Sequence, residues 1–239
     1  MQNGAVIVSH RACLLDPPIG YGVFAAMHKI LALLSLLLFS CPAWAEPLRI
    51  TALGDSLVQG YGLPQDQGLV PQLERWMNEN GAEVVLQNAG VSGDTTAGGA
   101  ERAAWTLSDN PDGLIVLLGG NDLLRGLAPE EARANLALIL QEAKALGIKA
   151  LLVGMKAPGN YGPEYKAAFD AIYPDLAAEF GAVLHLDAFA GIAAKAGGDP
   201  AAAQAYMQDD GIHPNARGVA LNVAAIGPAA LQLVEMITQ

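Results

Sequence analysis

"GLIVLLGGND", residues 113–122, is the stretch whose reading decides the fold. Its first seven residues form an apolar run without alternation. A strand with one face in water alternates apolar and polar side chains. A strand that does not alternate is covered on both faces, as in a parallel sheet held between helices. The run then breaks into glycines, an amide and a carboxylate, the residue types of a turn. The same order recurs twice. "LRITAL" (48–53) leads into Gly54-Asp55-Ser56, and "EVVLQNA" (83–89) leads into Gly90, Ser92, Gly93 and Asp94. "IKALLVGM" (148–155) and "AVLHLD" (182–187) complete five strands.

Helical patterns separate these runs. Residues 69–80 place Leu69, Leu73, Trp76 and Met77 on one face. Residues 95–107 form a second helix. Residues 128–146 form the clearest one, with Pro129, Glu130 and Glu131 suited to its start. The helix over 162–180 is expected to bend or restart at Pro174, and 213–237 to be interrupted near Gly227 and Pro228. Trp76 and Trp105 read as core-facing. Strands alternating with helices predict a parallel sheet covered on both faces, with functional residues at the carboxyl ends of its strands.

The first 45 residues read differently. Met27-His28-Lys29 is a basic start, Ile30–Ser40 is an apolar core, and Ala43-Trp44-Ala45 places small residues before Glu46. This is the pattern of a cleavable signal peptide, with an apolar core about half of the ~20 residues needed to span a bilayer. Residues 1–26 then lie upstream of an expected true start at Met27, and 46–239 form a single domain. Both cysteines, Cys13 and Cys41, fall in the leader, so the mature chain has no thiol for disulfides or nucleophilic chemistry. The formal net charge of −11 argues against nucleic acid and anionic membrane surfaces as partners. Only His185 and His213 remain for chemistry that needs an imidazole.

Polar residues cluster after the strands: Asp55 and Ser56; Ser92, Gly93 and Asp94; Asn121 and Asp122; and, before the last helix, Asp209, Asp210 and His213. By the strand-end rule all four clusters meet at one edge of the sheet. Nucleophilic acyl transfer uses these residue types. A serine hydroxyl needs a base, for which His213 is the candidate, and the base needs an acceptor on its other nitrogen, for which Asp210 is placed one turn away. The developing oxyanion needs donors, available from the Ser56 and Gly93 backbone N–H groups and the Asn121 amide.

"GDSL" around Ser56, the Gly93 block, "GGND" with Asn121 and "DGIHP" with His213 together resemble the SGNH (GDSL) hydrolase family. "GNYGPEYKAAFDAIYPDLAAEFG" (159–181) and "YMQDDGIHPN" (206–215) are similar to its bacterial thioesterase I / protease I / lysophospholipase L1 group and their arylesterase relatives. The resemblance implies a three-layer α/β/α flavodoxin-like fold and a broad-specificity hydrolase of acyl esters and thioesters. It implies Ser56 as nucleophile, Asp210 and His213 as its partners, and Ser56, Gly93 and Asn121 as oxyanion donors. It also implies an acyl-chain site in the segment Leu123–Leu127, through Leu123, Leu124 and Leu127. No cofactor and no metal are expected, and the chain is taken as a monomer acting on a small-molecule substrate.

Competing readings are a carbohydrate O-acetyl esterase on the same fold, a two-metal phosphoesterase using Asp55, Asp94, Asn121, Asp122 and His213, and a non-catalytic binding module. Of the remaining polar residues, Asp55 reads as a loop brace, Asp94 and Asp122 as caps or braces, Asp209 as a solvated neighbour and His185 as a strand-end histidine.

Overall fold

The structure, a computed structural model, describes residues 46–239. The leader and its expected cleavage site lie outside the described residues. Five parallel strands, β1 (Leu48–Gly54), β2 (Val84–Gly90), β3 (Gly113–Leu117), β4 (Lys149–Val153) and β5 (Val183–His185), form one sheet in the order β2-β1-β3-β4-β5. The five residues of β3 are all buried, as the lack of alternation predicts. β2, at the sheet edge, alternates instead.

The helices are α1 (Ser56–Gln59), α2 (Leu69–Glu79), α3 (Thr96–Thr106), α4 (Gly120–Arg125), α5 (Pro129–Ala145), α6 (Pro163–Phe180), α7 (Ala190–Ala196), α8 (Pro200–Gln204) and α9 (Ala216–Thr238). Helices α2, α7 and α9 pack together on one side of the sheet, and α3, α5 and α6 on the other. This is the three-layer α/β/α arrangement with the flavodoxin-like strand order. The order reverses between β1 and β3, where connections leave towards opposite faces and a crevice opens. Gly54 pairs in register with Gly90 on one side and Leu117 on the other, so three of the polar clusters begin at one level of the sheet.

Three sequence expectations are corrected. α6 does not restart at Pro174 but continues as one helix, and α9 runs unbroken through Gly227 and Pro228. A proline inside a helix removes one hydrogen bond, but burial of one helix face against a sheet outweighs that loss. In α6, Phe169, Ile172, Tyr173 and Leu176 are buried around Pro174. In α9, Gly227 marks a packing contact: a methyl group there would collide with the Trp76 ring. Trp105 is the third correction. It is 79% exposed on α3, because the buried face of that helix is carried by Gly99, Ala103 and Thr106.

Gly54 carries the turn from β1 into the first polar cluster. A Cβ here would collide with the Val58 side chain and lie 2.6 Å from the Leu117 carbonyl. Because that second neighbour is backbone, relaxation is costly. Gly54→Ala is expected to lower stability by ~1–3 kcal/mol, read as a shift of the urea midpoint at unchanged slope.

Candidate active site

Ser56 opens α1 directly beyond β1. Its N–H is the first of that helix and has no intrahelical acceptor, so it is available to a ligand. Asp55 is the N-cap, accepting the Leu57 N–H at 3.0 Å. Across 157 residues of sequence, the Ser56 hydroxyl lies 2.8 Å from His213 Nε2. His213 Nδ1 is 2.6 Å from Asp210 Oδ2. The other Asp210 oxygen accepts the backbone N–H groups of Ile212 at 2.9 Å and His213 at 3.0 Å. A carboxylate held this way points one oxygen at the ring. That fixes the tautomer with Nδ1 protonated and leaves Nε2 to accept from Ser56. The hydrogen bonds from the backbone and ring of His213 and from Ile212 pull the Asp210 carboxyl down from 3.8 to about 2. Asp209 is exposed and makes none of these bonds.

Gly93 sits in the turn after β2 with φ 84°, the left-handed region that favours glycine. Asn121 lies in the first turn of α4. Its amide donates to the Asp94 carbonyl at 2.9 Å and, weakly, to Asp55 Oδ2 at 3.4 Å. Ser56, Gly93, Asn121 and His213 all line one cleft of about 520 Å³. That size suits a small ligand. Leu57, Leu123, Leu124, Met155, Phe189 and Ile212 give it an apolar wall. Leu127 does not line it. Its N–H bonds to the Asp122 carbonyl, folding the chain back over the end of α4, and its carbonyl accepts the Tyr165 hydroxyl.

The braces are in place. Asp94 pairs with Arg102 at 2.8 Å. Asp122, 1% exposed, accepts both the N–H and the hydroxyl of Thr96, joining the start of α3 to α4. His185 ends β5 beside the Asp187 carbonyl at 3.0 Å, and burial lowers its pKa. Among the described residues no group of three or more His, Cys, Asp or Glu is arranged to hold a metal ion.

Four neighbours escape sequence reasoning. Tyr61, between Gly60 and Gly62, lays its ring 4.7 Å from the His213 ring at 37°. Gln208 donates to the carbonyls of Tyr61 and Pro214, tying the Ser56 loop to the His213 loop. Arg125 and Arg102 donate to backbone carbonyls around Gly93 and Gly54. A side chain that acts on backbone carbonyls leaves no residue-type pattern at its target.

Comparison with known proteins agrees with this geometry. Residues 52–221 match the model of the GDSL-like Lipase/Acylhydrolase family. The chain belongs to that family. This GDSL hydrolase is 40% identical to "Esterase TesA" of Pseudomonas aeruginosa over 76% of its own length and 86% of the relative's. It is 38% identical to "Thioesterase 1/protease 1/lysophospholipase L1" of Escherichia coli, over 79% and 84% of the two chains. Among solved structures it is similar to AlinE4, an SGNH-hydrolase family esterase, with a TM-score of 0.64 and 41% identity over 80% of this chain and 98% of that one. The GDSL hydrolase is thus an ester hydrolase of the serine type, built on the SGNH fold.

Asp55 carries an electrostatic cost. At 2% exposure, burial pushes its carboxyl up from 3.8 to about 6, while the Leu57 N–H, His213 and Asn121 draw it back and Asp122 pushes it further up. A raised carboxyl contributes stability that is fully present below its ordinary value and is lost as pH rises through about 6. Asn keeps the acceptor for the Leu57 N–H without the charge. Asp55→Asn is therefore expected to stabilise the fold at pH 8 by up to roughly 3 kcal/mol, from about two pKa units at 1.36 kcal/mol each, and by about half as much at pH 5, where the unfolded carboxyl is already ionised but the folded one is not. Urea unfolding at both pH values measures this. Equal gains at the two pH values would contradict it.

Proposed function

We propose that this hydrolase cleaves carboxylic ester and thioester bonds of acyl substrates through an acyl-enzyme at Ser56. The observation that carries this reading is the 2.8 Å contact between the Ser56 hydroxyl and His213 Nε2, inside the cleft that Gly93 and Asn121 also line. Ser56 Oγ attacks the acyl carbon while His213 takes its proton. Asp210 holds the ring and stabilises the imidazolium. The carbonyl oxygen, now negative, is met by the Ser56 and Gly93 N–H groups and the Asn121 amide. His213 returns its proton to the departing alcohol or thiol. A water then attacks the acyl carbon as it gives its proton to His213, and His213 passes that proton to Ser56 Oγ as the Oγ–acyl bond breaks and the acid leaves.

The apolar wall of the cleft supports an acyl chain rather than a sugar as the group recognised, with Leu123 and Leu124 in contact with it. The names of the relatives point to the same class: an esterase, a thioesterase and lysophospholipase, and an arylesterase. The leader's apolar core and Ala-Trp-Ala sequence support export, with residues 46–239 acting in the periplasm or outside the cell as a monomeric domain.

Ser56→Ala is expected to abolish turnover of short-chain aryl esters, and a serine-directed phosphonate to label Ser56 stoichiometrically in the wild type. Asn121→Ala is expected to lower kcat by ~10²–10³-fold with KM little changed. Steady-state kinetics on aryl esters, lysophospholipids, acyl thioesters and acetylated sugars in parallel tests both the mechanism and the substrate class. Full activity in Ser56→Ala would end the acyl-enzyme reading. A strong preference for acetylated sugars would favour the O-acetyl esterase.

A further inference from the structure

Arg102 projects from α3, eight residues after Asp94, and its guanidinium makes three hydrogen bonds to three separate segments. Nε donates to Asp94 Oδ2 at 2.8 Å, Nη1 to the Ala89 carbonyl at 2.8 Å, and Nη2 to the Gly54 carbonyl at 2.9 Å. Each acceptor lies within four residues of a proposed oxyanion donor. Gly54 lies two residues before Ser56. Ala89 lies at the end of β2, leading into the Gly93 turn. Asp94 follows Gly93, and its own carbonyl receives the Asn121 amide at 2.9 Å.

We propose that Arg102 is the positioning residue of the oxyanion hole, fixing the loops of Ser56, Gly93 and Asn121 relative to one another. This inference rests on the oxyanion role proposed above. The geometry suits Arg and not Lys, because a planar fork with donors on three nitrogens can serve three acceptors at once. The Arg102 and Asp94 side chains are only 20% and 19% exposed, so their pair is shielded from water and holds a defined geometry. The Gly54 carbonyl also accepts the Val91 N–H at 3.0 Å, and the Asp94 N–H bonds to the Val91 carbonyl at 3.1 Å. Arg102 therefore grips a closed turn rather than a free loop. Arg125 holds the Gly93 carbonyl from the other side at 2.7 Å. None of these contacts is made to the side chains of Ser56, His213 or Asp210, so loss of Arg102 leaves the triad hydrogen bonds themselves in place and acts through the loops that carry the oxyanion donors.

The test is a double-mutant cycle on folded, purified enzyme with aryl ester substrate. Arg102→Met is expected to lower kcat by ~10–100-fold, since a 1 Å misplacement of reacting groups costs about 10²-fold, with KM changed by less than about threefold. Arg102→Lys is expected to recover part of the loss by keeping the Asp94 pair. In the Asn121→Ala background the Arg102→Met replacement is expected to cost clearly less than it does alone, because one of the three donors it positions is already gone. If Arg102→Met does not fold, Arg102→Lys and Asp94→Asn run the same cycle. An unchanged kcat in these folded variants overturns the proposal. So does a loss that multiplies in full with that of Asn121→Ala, because a purely structural role predicts such independence. Full activity of Asn121→Ala alone overturns instead the oxyanion reading beneath it.

Discussion

The hydrogen bond between Ser56 and His213 closes the domain on itself. One partner follows the first strand and the other precedes the last helix, 157 residues apart. For the two to meet, the sheet must order its strands with β1 beside β3, and α9 must start at the same end of the sheet where β1 stops. A parallel sheet with its switch point at β1 and β3 meets both requirements. The chemistry is therefore a property of the topology, with each loop short and held by few but well-placed contacts.

Burial and charge are set against each other at this edge. Asp55 is sequestered and its ionised form disfavoured, whereas Asp210, exposed but gathering two backbone N–H groups and the imidazole, is strongly favoured as the anion. Two carboxyls on either side of one serine thus have different tasks. Asp210 holds the His213 ring. Asp55 caps a four-residue helix and faces the Asn121 amide, where a costly ionised form is tolerated at the site in return for order in the loop.

Much of this was legible from residue types. β3 reads as doubly buried because nothing in 113–117 is polar, and the structure buries every residue of it. Ser56, Gly93, Asn121, Asp210 and His213 stand out because hydroxyl, glycine, amide, carboxylate and imidazole recur after apolar runs, and all but Asp210 line the one cleft while Asp210 backs His213. The misreadings share a cause. Pro174 and Pro228 carry a local signal for helix interruption, yet the helices continue because their faces are packed along the sheet. Trp105 is apolar but faces solvent, because its helix buries small residues instead. Leu127 sits in an apolar segment but turns away after the end of α4.

Periodicity and residue chemistry belong to neighbouring positions along the chain. They determined the strand–helix alternation, the polar strand ends, and the shortage of cysteine and histidine that narrows the available chemistry. Contacts between distant segments belong to no local pattern. Arg102 reaching three carbonyl and carboxylate acceptors, Gln208 joining two loops, and Tyr61 against the imidazole were decided only when the sheet brought those segments together. The physical reason is that backbone carbonyls and ring faces look alike at every position in a sequence, and only packing selects which of them a given side chain will meet.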